Sequence, residues 1–308
     1  MSAFGQDPTP PPASFEELLG SDLTAAMDRL EIMSRKVLAG KLHGERQSRR
    51  KGFSIDFAEH RPYVAGDDLR YVDWNVYARL DALFLKLYLD EEDLSVLLAI
   101  DASASMDWGN PSKWTWARRM AGALGGIALA GHQRVTVATF NDQGVSMLRD
   151  LRGRGRTAEL GSWLLGSKCG GKGDLDAAIR TVQTSLRGRG VVVLLSDFWE
   201  QADPIGPLQR LAGQHDLHCV QVLSPQELDP GGHGLVGDLA LEDAETGKVC
   251  EVTVTPALLR TCQAKLQDRV RLVREAARRA GGSHVAISTA EPVADVLTEQ
   301  LRRSGLLR

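Results

Sequence analysis

From Leu94 onward the chain alternates short apolar runs with stretches of helical spacing, and this alternation restricts its fold more than any other feature. Leu94 to Ile100, Arg134 to Phe140, Val191 to Leu195 and Leu217 to Leu223 are short and rich in aliphatic residues, and they read as buried strands. Trp114 to Ala130, Leu175 to Leu186, Pro207 to Ala212 and Pro256 to Arg279 carry helical spacing between or after them. Parallel neighbours need a crossover, for which a helix is the usual solution. The pattern therefore predicts an α/β fold, a mostly parallel sheet with helices on both faces. Val145 to Leu148, after the turn-forming Asn141-Asp142-Gln143-Gly144, is expected to return antiparallel at an edge. The Ala- and Gly-rich helix from Trp114 is read as packing on the sheet.

Ahead of this domain, placed at residues 93–308, the reading has two further parts. Residues 1–13, with Pro8, Pro10, Pro11 and Pro12, bury too little to repay ordering and are expected to form a loose tail. Residues 14–92 are expected to form an extension. It opens with one amphipathic helix through Leu18, Leu19, Leu23, Met27, Leu30, Ile32, Met33 and Leu38, started by Ser14. The basic cluster Arg46, Arg49, Arg50 and Lys51 follows, and then a polar, aromatic-dotted segment to Tyr88 with no clear period. Thirty-seven Lys and Arg against forty Asp and Glu give a net charge of −3, too balanced for a chain that coats nucleic acid. Met120 to Ala130 is interrupted by glycines and falls short of the ~20 apolar residues a bilayer span needs. The N-terminus, with Asp7 and its prolines, lacks the pattern of a secretory signal, so the cytoplasm is the expected location. Cys169, Cys219, Cys250 and Cys262 show no metal or redox spacing and are expected to be reduced, mostly buried thiols. His215 and His218 fall on opposite faces of a strand.

In an open α/β sheet, ligands gather beyond the carboxyl ends of the strands. One strand ends in Asp101 and continues Ala102-Ser103-Ala104-Ser105; another is followed by Ser196-Asp197. Two carboxylates ~5 Å apart repel by roughly 3 kcal/mol at an effective dielectric of ~20. A bound cation relieves that repulsion. Serine hydroxyls, carboxylates and water are suitable ligands for Mg2+ or Mn2+.

Asp101-x-Ser103-x-Ser105 after an apolar strand, with Asp197 after a later one, resembles the metal-ion-dependent adhesion site of von Willebrand factor A domains. The resemblance implies a three-layer, Rossmann-like α/β domain over roughly residues 92 to 308. It implies that Ser103 and Ser105 hold the ion directly, Asp101 and Asp197 often through water, and that one position awaits a partner's carboxylate. The family's loop threonine has no counterpart: the run Gly170-Gly171-Lys172-Gly173-Asp174-Leu175 puts Gly173 in its place, with water or Asp174 as candidate replacement and Lys172 as a candidate neutralising charge. Upstream, Gly66-Asp67-Asp68-Leu69-Arg70 with Asp73-Trp74 and Ala78-Arg79 resembles the signature of the bacterial domain-of-unknown-function family fifty-eight, which joins such a segment to a von Willebrand A-like domain. That resemblance implies work beside a MoxR-type AAA+ ATPase, with the ATPase or its client as partner, in assembly or maturation of protein complexes. It implies recognition, not enzymatic turnover. Read as residues alone, Asp67, Asp68, Arg70, Asp73, Trp74 and Arg79 are a docking surface or a salt-bridged structural platform, since partly buried charges must be paired.

Rival readings fit less of the chain. Gly166 to Lys172 approaches a phosphate-binding loop, but Gly173 stands where its hydroxyl belongs and Leu160 to Leu165 suits a helix, not the preceding strand. Metal-dependent phosphoryl transfer from Asp101 lacks a second acid two residues on, where Ser103 stands. Nucleic-acid binding would rest on the cluster at 46–51, and like-sign runs are usually solvated surface.

Overall fold

In a computed structural model of the chain, the described residues are 12, 14–27, 29–34, 57–88, 94–184, 190–199, 203–213, 215–244 and 247–308. The expected tail at 1–13, apart from Pro12, and the basic cluster at 46–51 lie outside them. The chain divides into two units, residues 1–39 with 94–308, and residues 40–93. The described residues among 14–34 thus group with the sheet and not with the rest of the expected extension.

The single N-terminal helix of the sequence reading is two short ones, α1 (Phe15–Leu19) and α2 (Ser21–Met27). Gly20 breaks them with φ of 76°, a left-handed value that costs glycine nothing. Arg119 locks the break, donating Nε at 3.0 Å and Nη2 at 2.7 Å to the Leu19 carbonyl.

The smaller unit is built on an antiparallel pair, β1 (Phe57–Pro62) and β2 (Phe84–Tyr88), joined through a short helix, α3 (Trp74–Leu80). Asp73 caps α3, accepting from Asn75 N at 3.0 Å and Val76 N at 3.3 Å.

The larger unit holds β3 (Ser95–Asp101), α4 (Lys113–Ala130), β4 (Arg134–Asn141), β5 (Gly144–Arg152), α5 (Thr157–Gly166), α6 (Leu175–Gln183), β6 (Gly190–Ser196), α7 (Ile205–Ala212) and β7 (His215–Leu223). After these come α8 (Pro225–Leu228), the hairpin β8 (Gly237–Glu242) and β9 (Val249–Val254), α9 (Pro256–Arg279), β10 (Ser283–Ser288) and a helical stretch over residues 293–304. The main sheet runs β10-β7-β6-β3-β4-β5, parallel except for the antiparallel edge strand β5. The α/β class, the mostly parallel sheet and the returning edge strand are as expected. β3, β6 and β7 are buried along their whole lengths, as strands covered on both faces must be.

Alternate side chains of these strands feed two cores. Val96, Leu98, Ile100, Val135, Val137, Val193 and Leu195 pack with α4 and the helical stretch 293–301. Leu97, Ala99, Ala138, Val192, Leu194 and Cys219 pack with α6, α7 and α9. α4 is buried almost all round because α1 and α2 cover its far side. A Cβ on Gly122 would sit 2.9 Å from the Phe15 ring, and one on Gly126 2.3 Å from Met27 Cε. The far end of the chain closes the same side: Ile32 bridges Leu307, and Met33 N donates to Leu306 O at 2.9 Å.

Two of the four cysteines overturn the expectation of mostly buried thiols. Cys169 and Cys219 are at least partly buried, but Cys250 and Cys262 are exposed. Cys250 lies on the β8–β9 hairpin, which pairs only with itself, and Cys262 on the solvent side of α9.

Candidate metal centre

The register of the sheet brings the two acidic strand ends together. β3 and β6 are parallel neighbours with Ile100 opposite Leu195, so Asp101 lies level with Ser196 and Asp197 follows one residue beyond. Ser196 Oγ donates to Asp101 Oδ2 at 2.6 Å and accepts from Phe198 N at 2.8 Å. The other Asp101 oxygen accepts from Ser103 N at 2.9 Å, turning the chain into the loop that carries both serines.

Past that turn the oxygens form a chain of contacts. Ser103 Oγ and Ser105 Oγ are 3.1 Å apart, and Ser105 Oγ donates to Asp197 Oδ2 at 2.8 Å. Adjacent ligands of an octahedral ion held at 2.0–2.1 Å are about 2.9 Å apart, so these separations, which the hydrogen bonds themselves set, are of the size such an ion requires. Among the described residues no three His, Cys, Asp or Glu side chains form a metal cluster, so a cation here depends on the hydroxyls.

The loop between α5 and α6 roofs the site. Gly170 N donates to Ala102 O at 2.8 Å, Ala104 N to Gly171 O at 2.9 Å, and Cys169 Sγ to Ser103 O at 2.8 Å. Gly171 has φ of 75°, and a Cβ there would lie 2.3 Å from Asp142 Oδ1, so the roof requires glycine at that point. Gly173 faces the oxygens: a Cβ there would stand 3.9 Å from both Asp101 Oδ2 and Ser103 Cβ, in ordinary contact. There is room for a Cβ at this position, where glycine supplies none. Asp174 is engaged as the cap of α6, with Oδ1 accepting from Ala177 N at 2.9 Å.

A group that sequence reasoning missed stands on the other side of Asp197. Lys113 is 1% exposed, and its ammonium donates to Asp197 Oδ2 and to Glu227 Oε1, both at 2.7 Å. Burial works against its charge, but Asp197 and Glu227 outweigh burial and hold its pKa above the usual value. Asp101 has no such cation. Burial first, and then the charge of Asp197, push its carboxyl up to about 6. Cys169, burdened by burial and by the charges of Asp107 and Asp101, is pushed up to about 12 and is no nucleophile.

The loop after α5 follows a helix and not a strand, which removes the phosphate-binding-loop reading of Gly166 to Lys172.

In the smaller unit the signature residues separate into local pairs. Arg61 Nη2 donates to both Asp67 oxygens at 2.8 Å, and Arg70 grips Asp68, its Nη2 at 2.6 Å from Oδ2. Asp73 is buried, accepts from Lys86 Nζ at 3.4 Å, and is held down at about 2 chiefly by its 2.9 Å bond with His60. Trp74 is exposed and meets Tyr77 edge to face at 6.1 Å; Arg79, in the last turn of α3, is exposed.

Fold and site together define an α/β domain with a cluster of buried and half-buried side-chain oxygens at the carboxyl ends of two parallel strands. The chain belongs to the family described as Protein of unknown function DUF58, whose model matches residues 59–272. Uncharacterized protein Rv1480 of Mycobacterium tuberculosis is 30% identical over 261 residues, 82% of this chain and 81% of that protein. Among solved structures, the conserved hypothetical protein BatB from Bacteroides thetaiotaomicron is similar with a TM-score of 0.44 and 14% identity, over 69% of this chain and 98% of BatB. The SpRpn10 VWA domain is similar with a TM-score of 0.39 and 15% identity, over 67% of this chain and 94% of that domain. No helix among the described residues is long and apolar enough to cross a membrane.

Proposed function

We propose that this protein is a recognition module that binds a divalent cation through Asp101, Ser103, Ser105 and Asp197, and through it a carboxylate of a partner protein. The observation that carries the reading is the run of contacts from Ser103 Oγ to Ser105 Oγ to Asp197 Oδ2, at 3.1 and 2.8 Å, beside the carboxylate of Asp101. Two neutral hydroxyls and two carboxylates leave a hard cation with affinity for an incoming acid, which is the chemistry the bound ion would supply. Ser196 orients Asp101, and the glycine-rich loop over residues 170–173 covers the ligand loop, with Gly173 leaving room for a Cβ beside Asp101 and Ser103.

The module recognises and does not turn over. Asp101 is 5% exposed and both of its oxygens already accept hydrogen bonds, a poor state for a nucleophile. The family resemblance points to a MoxR-type AAA+ ATPase, or its client, as the protein that offers the acid. Isothermal calorimetry with Mg2+ and with Mn2+ tests the metal: wild type should release or absorb heat at one site and Asp101→Ala should not. Equal heats from both proteins would remove the ion from the account. Capture of the ATPase from a host lysate by wild type, lost with chelator and with Ser103→Ala, tests the partner.

A further inference from the structure

Lys113 stands where a lysine is disfavoured on two counts. It is the first residue of α4, at the positive end of the helix dipole, and its side chain is 1% exposed. Its position is held by two carboxylates from other parts of the chain. Asp197 gives Oδ2, the same oxygen that accepts from Ser105 Oγ. Glu227 gives Oε1, and its second oxygen is fixed by Ser224, whose N donates at 2.7 Å and Oγ at 3.1 Å in the capping box of α8. One seat of the ammonium is therefore a ligand oxygen of the cation site, and the other is a rigid carboxylate outside it.

We infer that Lys113 is a tethered competitor for the cation, holding Asp197 while the site lacks an ion and withdrawing onto Glu227 when an ion takes that oxygen. The inference rests on the metal reading above and adds the element that regulates it. With Asp101, Asp197 and Glu227 ionised, three carboxylates and one ammonium leave a charge of −2, which a single divalent ion cancels. Without the lysine the loaded site would stay at −1 and repel the partner's carboxylate. Lys113 thus weakens the ion's hold on the free protein and favours the ternary arrangement of protein, ion and acid. It also keeps the cleft folded in the absence of metal, because Asp197 is never left as an unpaired buried charge.

The test is Mn2+ titration of the full chain, comparing wild type with Lys113→Met, which removes the charge, and Lys113→Gln, which keeps a donor for Asp197. Both neutral variants should bind Mn2+ at least about tenfold more tightly, since a like charge within a few ångströms has been removed. Their thermal unfolding should depend more strongly on Mn2+, with a midpoint lowered in chelator that the ion restores, whereas the wild-type midpoint, held by the lysine in chelator, rises less when the ion is added. Binding by the variants where wild type shows none would support the same conclusion. Unchanged or weakened affinity in both variants overturns the inference and leaves the metal reading standing. Absence of binding in all three proteins removes the metal reading and the inference with it. Variants that stay unfolded even with Mn2+ overturn the inference, because the ion would then not replace the lysine.

Discussion

A threonine at position 173 would set its Cβ 3.9 Å from Asp101 Oδ2 and from Ser103 Cβ, with no backbone adjustment, since Gly173 does not occupy the left-handed region. Its hydroxyl would then add an oxygen to the proposed ligand set. Gly173→Thr should tighten Mn2+ binding several-fold, by the ~1 kcal/mol that one further neutral ligand adds over water, as read by calorimetry. No gain would mean that the roof loop holds the hydroxyl away from the ion. The acidic and hydroxyl parts of the site were legible in the sequence because each follows an apolar strand directly. Lys113 was not. A lysine twelve residues after Asp101, at the start of a helix, reads as surface by its type, and its burial arises only from Asp197 and Glu227, which lie 84 and 114 residues away.

Among the elements, α1 and α5 show a contrast between local preference and tertiary fit. Gly161 on the neighbouring α5 has ordinary helical backbone, so alanine there would gain up to about 1 kcal/mol from propensity alone. The Cβ would, however, lie 2.4 Å from Phe15 Cγ and 2.6 Å from Phe15 Cβ. Gly161→Ala should therefore destabilise the protein, by about 1–3 kcal/mol in urea denaturation, and a stabilised variant would show that α1 is not seated on α5. The strands with continuous apolar runs were readable from the sequence, as were the long helices. The Gly20 break was not, because a lone glycine in a helical pattern is usually tolerated. β10, Ser283–Ser288, was missed because its serines and histidine dilute the apolar signal, and only pairing with β7 makes it a strand. The β1–β2 and β8–β9 pairs were missed because neither carries a long apolar run.

Stability of the whole molecule carries the signature of its buried acid. The Asp101 carboxyl titrates at about 6 in the fold against 3.8 ordinarily, so the folded chain binds that proton more tightly than the unfolded one. This group's contribution is present below about pH 4 and is lost as pH rises to about 6, opposite to an ordinary paired carboxylate. In metal-free buffer, Asp101→Asn should gain on wild type by an amount on the order of 3 kcal/mol between pH 4 and pH 7, read from urea midpoints. Parallel pH curves for the two proteins would show that Asp101 is not isolated from a compensating charge.

The bridge between Ile32 and Leu307 has a consequence for biosynthesis. A ribosome delivers residue 32 early and residue 307 some 275 residues later, so the flank of α4 stays without its final seal until residue 307 has cleared the exit tunnel. A message truncated upstream of that point would yield a chain with most of its sheet and an open seam, the kind of product that chaperones retain and proteases remove.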